Sequence, residues 1–404
     1  MKEEDYRLHA EQANRLRAAR RLVIKVGTST VTGLDGEFCL DRVEPIVGSI
    51  GRLMTEGRQV VLVSSGAIGL GRGWLGLHHS RLHDLVTKQA CAAVGQSLLM
   101  DAYKRLFSTS GVKVAQVLLT EEDFSNWRRY SNFRRTMEKL LGFGVLPIVN
   151  QNDTVSTAEI ESIGGGTRTI PFSDNDRLAA LVMSGLEADV LVLLTNVDGF
   201  FRRRPSAVSV DVGSHNDIAR EVIPVVEEIN PHLKELAAGP SATGRGGMVT
   251  KLEAAEIAMN CGGIAVVANG QDRNILDRIF AGERVDTLFL PSKRVRGKRR
   301  WIAYAAYVHG RVVVDAGAKR AITQGKASLL ASGVVRIEGP FAPMDVVSIV
   351  DRDGREFARG IANSASHETY EKMARKGSHQ VKARRAAASP ILVRRDNIVL
   401  LEKP

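Results

Sequence analysis

The sequence predicts a three-layer α/β sandwich with a mostly parallel central sheet, followed by a small β-barrel-like C-terminal domain. Three observations carry this. Continuous apolar runs of strand length alternate with helical patterns through the first 290 residues, and strands buried on both faces belong to parallel sheets covered on two sides. The last hundred residues instead read as short strand-like runs broken by Gly and Asp-Gly turns. Charge also changes abruptly along the chain. Residues 1–292 carry 33 Lys+Arg against 35 Asp+Glu, whereas residues 293–404 carry 23 against 10. A step of that size marks a separate domain.

Taken in order, residues 1–20 (MKEEDYRLHAEQANRLRAAR) are charged throughout, lack an apolar signal region, and are expected to form a solvated helical extension. The first strand is predicted at 22–26. A helix at 41–56 follows, with Val43, Ile46, Val47, Ile50, Leu53 and Met54 at i, i+3, i+4, i+7 spacing. Gly57 ends it. Further strands are expected at 60–64, 145–150, 189–195 and 263–269, with helices at 84–108, 132–142, 176–186 and 250–260. The catalytic domain is thus bounded at 21–290. PSKRVRGKRR (291–300) reads as a basic, solvated linker, with polyanion binding as the other reading. Residues 301–404 form the tail domain, ending in a basic helical piece and a last strand near ILVRRDNIVLL.

Composition narrows the class. The chain has 404 residues, 44% hydrophobic and 25% charged, ordinary for a globular enzyme of two or more domains. No apolar stretch approaches the roughly 20 residues that span a membrane. Three cysteines without a CxxC pair argue against a disulfide framework or a zinc site and point to a reducing cytoplasm.

In parallel sheets ligands sit at the carboxyl ends of strands, and the chemistry-bearing residues gather there. Lys25 is a lone charge inside an apolar run that breaks into Gly27-Thr28-Ser29. It reads as a phosphate contact, the alternative being an edge lysine reaching for solvent. GRGGMVTK places glycines before a helix with Lys251 in its first turn. A lysine beside bare backbone N–H groups suits a site that brings two polyanions together. VSSGAIGLG supplies Ser65 and Gly66, able to hold a small anion or simply to turn strand into helix. NQNDTVSTAE supplies Asn150 and Asp153. FSDNDRLAALV supplies Asp174, Asn175 and Asp176, more short polar side chains than an N-cap needs. Such groups bind an α-ammonium and order lysines or magnesium. GGGTR (164–168) reads as a loop over the site. Thr195 and Asn196 follow a buried strand and could contact nucleotide or merely make a turn. No Ser/His/Asp arrangement, HExxH or GxxxxGK[ST] motif occurs. The missing general base favours a carboxylate acceptor, already ionised at neutral pH with a pKa of about 4.3. Phosphorylating it needs alignment and charge neutralisation rather than proton removal.

IKVGTS, VSSGAIGLG, KQACAAVGQ, AQVLLT, NQNDTVSTAEI, SDNDRLAALVM, LLTNVDGF and GRGGMVTKLEAAEIA occur in one order over about 21–290. This series resembles the amino-acid kinase family, and within it the glutamate 5-kinases that open proline biosynthesis. VVVDAGAKRAI, GKASLL, GVVRIEGPF and REFARGIANSAS resemble a PUA domain. The resemblance implies ATP-dependent phosphorylation of the L-glutamate γ-carboxylate. Lys25 and Lys251 would flank the transferring phosphoryl group, and Asp176 would orient them. Ser65, Asp153 and Asn175 would bind glutamate, with Gly66, Asp174 and Asn150 nearby. Lys25, Gly27, Thr195, Asn196 and the loop Arg245, Gly246, Gly247, Met248, Val249, Thr250, Lys251 would hold ATP, with Mg2+ bridging its phosphates and no protein metal ligand. It further implies a cytoplasmic homo-oligomer (dimer or tetramer), feedback by proline, a γ-glutamyl phosphate reductase as the next enzyme, and RNA as a conceivable ligand of the tail. Asn196, Arg245 and Gln151 depart from the usual pattern. Two rival readings are a kinase of another acid on the same fold (aspartate, acetylglutamate, carbamate) and an RNA-binding or regulatory protein with a vestigial kinase domain.

Overall fold

The computed structural model describes residues 3–33, 35–77, 84–120, 122–155, 175–201, 222–237, 247–284, 287–291, 297–305, 308–325, 327–369 and 390–401. The chain divides into two compact units. One comprises residues 1–120 and 135–294; the other comprises 121–134 and 295–404.

The first unit is built on an eight-stranded sheet. Its strands are β1 (Arg21–Val26), β2 (Gln59–Ser64), β3 (Val114–Leu119), β4 (Leu146–Gln151), β5 (Val190–Thr195), β6 (Val225–Val226), β7 (Ile264–Asn269) and β8 (Thr287–Phe289), in the order β3-β4-β2-β1-β5-β7-β8-β6. β3, β4, β2, β1, β5 and β7 are mutually parallel, and β8 runs antiparallel to β7. β4 and β5 are buried along their whole length, as their uninterrupted apolar runs require. Five of the eight strands, β1, β2, β4, β5 and β7, match the sequence prediction within a residue or two. β3 carries the AQVLLT motif but is only part-buried, and β6 and β8 are two and three residues long.

Chain order reverses direction at β1. β2 leaves to one side and β5 to the other, so the crevice above β1 is a topological switch point, where open α/β sheets bind ligands. The helices that position the site are α1 (Glu3–Ala18), α2 (Leu40–Thr55), α3 (Ala67–Trp74), α4 (Leu85–Ser108), α5 (Trp127–Gly142), α6 (Asn175–Leu186), α7 (Met248–Asn260) and α8 (Ile275–Ala281). α6 is apolar all round and buried from Leu178 to Leu186. The N-terminal extension is helical but not solvated throughout. Gln12, Ala13 and Leu16 are buried, Leu16 joins the main core, and the Arg17 Nε donates to the Ala281 carbonyl at the end of α8.

The second unit holds a mixed six-stranded sheet: β9 (Val308–Val314), β10 (Leu329–Leu330), β11 (Val334–Glu338), β12 (Val346–Val350), β13 (Glu356–Ala362) and β14 (Ile391–Leu400), ordered β10-β14-β13-β12-β9-β11. Only β9 and β12 pair in parallel. Among the described residues the sheet is curled rather than closed, with β10 and β11 at its edges. Its core is Val312, Val314, Val347, Ile349, Phe357 and Val393. A second apolar nucleus forms between two distant pieces of sequence. Trp301, wholly buried, lies against Trp127 and Tyr130 at 5.1 and 5.8 Å between ring centres, and its Nε1 donates to the Phe124 carbonyl at 2.7 Å. Within 291–300, Gly297–Arg300 form a helical turn; Arg300 is buried rather than solvated, and Lys298 donates to Asn397. The basic helical piece expected before the last strand lies outside the described residues.

Candidate active site

β1 brings Lys25 to the sheet centre, beside Val63 of β2 and Leu193 of β5. The side chain is 7% exposed. A charge so buried needs a partner, and the partner is Asp176: Lys25 Nζ stands 2.6 Å from its Oδ1. Lys251, in the first turn of α7, approaches from the other side, with Nζ 3.1 Å from Oδ2. The Thr250 hydroxyl lies 3.1 Å from the same oxygen and 2.9 Å from the Gly247 carbonyl. Burial alone would raise the Asp176 pKa; the two lysines outweigh it and hold the carboxyl down at about 2. The result is a carboxylate flanked by two ammonium groups.

A second cluster is built from amides and hydroxyls. Asn175 Nδ2 donates to Ser65 Oγ at 2.8 Å and to Asn150 Oδ1 at 3.0 Å, with the Ser64 carbonyl at 3.3 Å. Asn150, at the end of β4, is buried; its Nδ2 donates to Gln96 Oε1 of α4 at 2.9 Å. The Ser64 hydroxyl lies 2.8 Å from the Tyr103 hydroxyl and donates to the Ser65 carbonyl. Gly66 turns the chain into α3 at φ +107°, and a Cβ there would meet Val31 at 2.7 Å, so glycine is required on both counts.

The two clusters are joined by neighbours in sequence. Asn175 enters the amide cluster and Asp176 the lysine cluster. Consecutive helical residues project about 100° apart, so the start of α6 serves both halves. Asp153 is half-buried in the turn after β4.

Of the residues singled out from the sequence, Lys25, Asp176, Thr250 and Lys251 converge, and Ser65, Asn150 and Asn175 converge beside them. Gly27 precedes the short helix Thr28–Val31, and Gly247 is the N-cap of α7 with Met248 and Val249 in its first turn. Thr195 is buried at the end of β5, and its carbonyl accepts from Gly270 N; Asn196 is exposed. Asp174, Arg245, Gly246 and the 164–168 segment lie outside the described residues. Ser64, at the strand end that the sequence also pointed to, joins the amide cluster; sequence reasoning missed Gln96 and Tyr103. It also missed Asn269 at the end of β7, whose Nδ2 donates to Asp198 Oδ1 at 2.8 Å beside Thr195 and Asn196.

Comparison with known proteins decides the family. The profile of the Amino acid kinase family matches residues 20–268, and that of the PUA domain matches 310–385. The chain belongs to the amino acid kinase family. Within the family its curated relatives are close in both length and sequence. The glutamate 5-kinase of Caldanaerobacter subterraneus subsp. tengcongensis is 42% identical over 386 residues, 95% of this chain and 98% of the relative. That of Moorella thermoacetica is 45% identical over 350 residues, 86% and 87% of the two chains. That of Geobacter sulfurreducens is 39% identical over 389 residues, 96% and 99%. Among solved structures, the UMP kinase of Bacillus anthracis aligns over 67% of this chain and 96% of its own at 18% identity and a TM-score of 0.44. Among the described residues no helix is long and apolar enough to cross a membrane.

Proposed function

We propose that this chain catalyses ATP-dependent phosphorylation of the L-glutamate γ-carboxylate, giving γ-glutamyl phosphate, the first step of proline biosynthesis. The family membership and the relatives named glutamate 5-kinase support the reaction. The observation that carries its geometry is the adjacency of Asn175 and Asp176, which joins a polar cluster to a lysine pair.

In this reading Ser65, Asp153 and Asn175 grip glutamate, with Gly66, Asn150 and Asp174 around them. Gly27, Thr195, Asn196 and residues 245–251 hold the nucleotide. The acceptor carboxylate and the γ-phosphate are both anionic, and their repulsion is the chief obstacle. Lys25 and Lys251 neutralise the phosphoryl oxygens as they approach and as charge moves to the leaving ADP. Asp176 keeps both ammonium groups aimed at one point. No side chain need remove a proton.

A divalent metal accompanies ATP in such kinases, and Mg2+ is the ion proposed here. Oδ1 of Asp176 faces Lys25, and Oδ2 faces Lys251 and Thr250. That carboxylate is committed to the lysines, and the donor chemistry fits an ion carried in on the nucleotide phosphates, where it screens their charge. The acyl phosphate product is labile, and a γ-glutamyl phosphate reductase is the proposed next enzyme. Assembly as a homo-oligomer in the cytoplasm is a further part of the proposal, and the basic tail is read as mainly structural or regulatory, with RNA binding as the alternative use of its charge.

The deciding assay supplies ATP and Mg2+ with glutamate, aspartate or acetylglutamate, and traps the acyl phosphate with hydroxylamine. Glutamate is expected to give the hydroxamate and the others little. Preference for another acid would overturn the substrate; no turnover with any of them would favour the regulatory reading.

A further inference from the structure

Asparagine and glutamine amides each have one donor end and one acceptor end, and which end points where must come from their neighbours. In the amide cluster the answer is set by the backbone. The Gln151 N–H, 2.8 Å from Asn150, is a donor and can face only an oxygen, so the Asn150 atom there is Oδ1. Asn150 Nδ2 must then face Gln96, whose contacting atom must be Oε1. On the other side Oδ1 also meets Asn175, whose contacting atom must be Nδ2. The Ser64 carbonyl, an acceptor 3.3 Å from the same Nδ2, agrees. One backbone N–H thus fixes the direction of three consecutive amides. The outcome is that Asn175 turns its Oδ1 away from the cluster, and that oxygen is buried without a hydrogen-bond partner among the described residues.

A buried acceptor with no protein partner is costly unless a ligand donor meets it. The donor that an amino-acid substrate brings is its α-ammonium. We infer that Gln96 is a positioning residue: the Gln151 N–H sets which way the amides point, and Gln96, by accepting from Asn150, braces that arrangement so that the Asn175 carbonyl oxygen is held where the substrate ammonium meets it. Gln96 is nine-tenths buried and, among the described residues, engages only its oxygen, the half the relay needs. Without that acceptor, Asn150 keeps the Gln151 N–H but its Nδ2 is left unpaired, so its amide shifts and the Asn175 oxygen is no longer held at the ammonium position. This deepens the reading of the site as an amino-acid kinase site and rests on it.

The test compares Gln96→Met, which keeps volume and loses the acceptor, with Gln96→Glu, which keeps the acceptor. Each is assayed with glutamate and with glutarate, which lacks the ammonium. In Gln96→Met the KM for glutamate is expected to rise about ten- to a hundredfold, with the KM for ATP within about twofold. The preference for glutamate over glutarate should fall by a similar factor, and Gln96→Glu should recover most of both. Thermal-shift titrations give a readout independent of turnover: a non-hydrolysable ATP analogue should still stabilise Gln96→Met, and glutamate should not. The inference is overturned if Gln96→Met keeps the glutamate-to-glutarate preference, if it loses ATP and glutamate equally, or if Gln96→Glu is as impaired as Gln96→Met. Should the wild type turn over a different amino acid, the substrate reading fails, and the same comparison runs on that acid and its deamino analogue.

Discussion

Lys25, Asp176 and Lys251 form a site whose members cannot be removed equivalently. Lysine loss removes charge from the reaction; aspartate loss leaves two buried cations facing each other. Lys25→Ala and Lys251→Ala are therefore expected to lower kcat by about 10²–10³ while moving the glutamate KM little, read by steady-state kinetics. Near-normal kcat in either would remove that lysine from the mechanism. Asp176 also links stability to pH. Its folded pKa, about 2, lies below the ordinary value of 3.8, so its contribution is present above pH 4 and is lost as pH falls from about 4 toward 2. The amount is on the order of 2 kcal/mol. Denaturation curves of wild type and Asp176→Asn across that window should differ in slope, the variant being the flatter. Equal slopes would mean the carboxyl is not held down. These three residues were legible in the sequence because each is anomalous: a charge in an apolar run, a dense polar cluster before an apolar helix, a lysine just after glycines. Gln96 and Tyr103 were not, because a polar residue on a long helix raises no question until its burial is known.

The elements carry the site by how closely they pack. α3 and α4 cross with almost no separation: a Cβ at Gly95 would sit 1.7 Å from the Ala67 carbonyl oxygen, and one at Gly71 would sit 1.8 Å from that of Cys91. Gly95 adjoins Gln96, and Ala67 adjoins Gly66, so the crossing sets the spacing of the amide cluster. Gly95→Ala must push the helices apart. It is expected to cost about 1–3 kcal/mol, seen as a lower Tm, and to raise the glutamate KM more than the ATP KM. An unchanged Tm would mean the helices separate freely. β1, β2, β4, β5 and β7 could be located from sequence because strands buried on both faces leave unbroken apolar runs. β3 escaped because it is an edge strand and only part-buried, and β6 and β8 because two or three residues have no period to read. The burial along α1 was equally hidden: a few buried positions in a charged helix look like solvent until Arg17 is seen to bond α8.

For the whole molecule, the charge step at 292 pointed to a second unit, but nothing in the pattern of 121–134 shows that this segment groups with it. The consequence is testable by truncation. A chain ending at Pro291 keeps every residue assigned to chemistry yet removes Trp301 from Phe124, Trp127 and Tyr130. It is expected to retain kinase activity per folded molecule, to bind a hydrophobic dye that the full chain does not, and to aggregate; a soluble, dye-silent truncation would show that 121–134 needs no cover. If the tail's positive excess binds RNA, the full chain should do so with steep salt dependence and the truncation should not.

The aromatic nucleus shared by residues 124–133 and Trp301 spans 177 residues of sequence from Phe124 to its indole donor. It makes the tail inseparable from a stretch of chain lying inside the kinase. A gene fusion that grafts residues 295–404 onto another kinase transplants half of a core, and one that carries the 121–134 segment along with it transplants the whole. Recombination within this lineage is therefore constrained at two points of the gene at once, and tails exchanged between relatives should work only when both pieces come from the same parent.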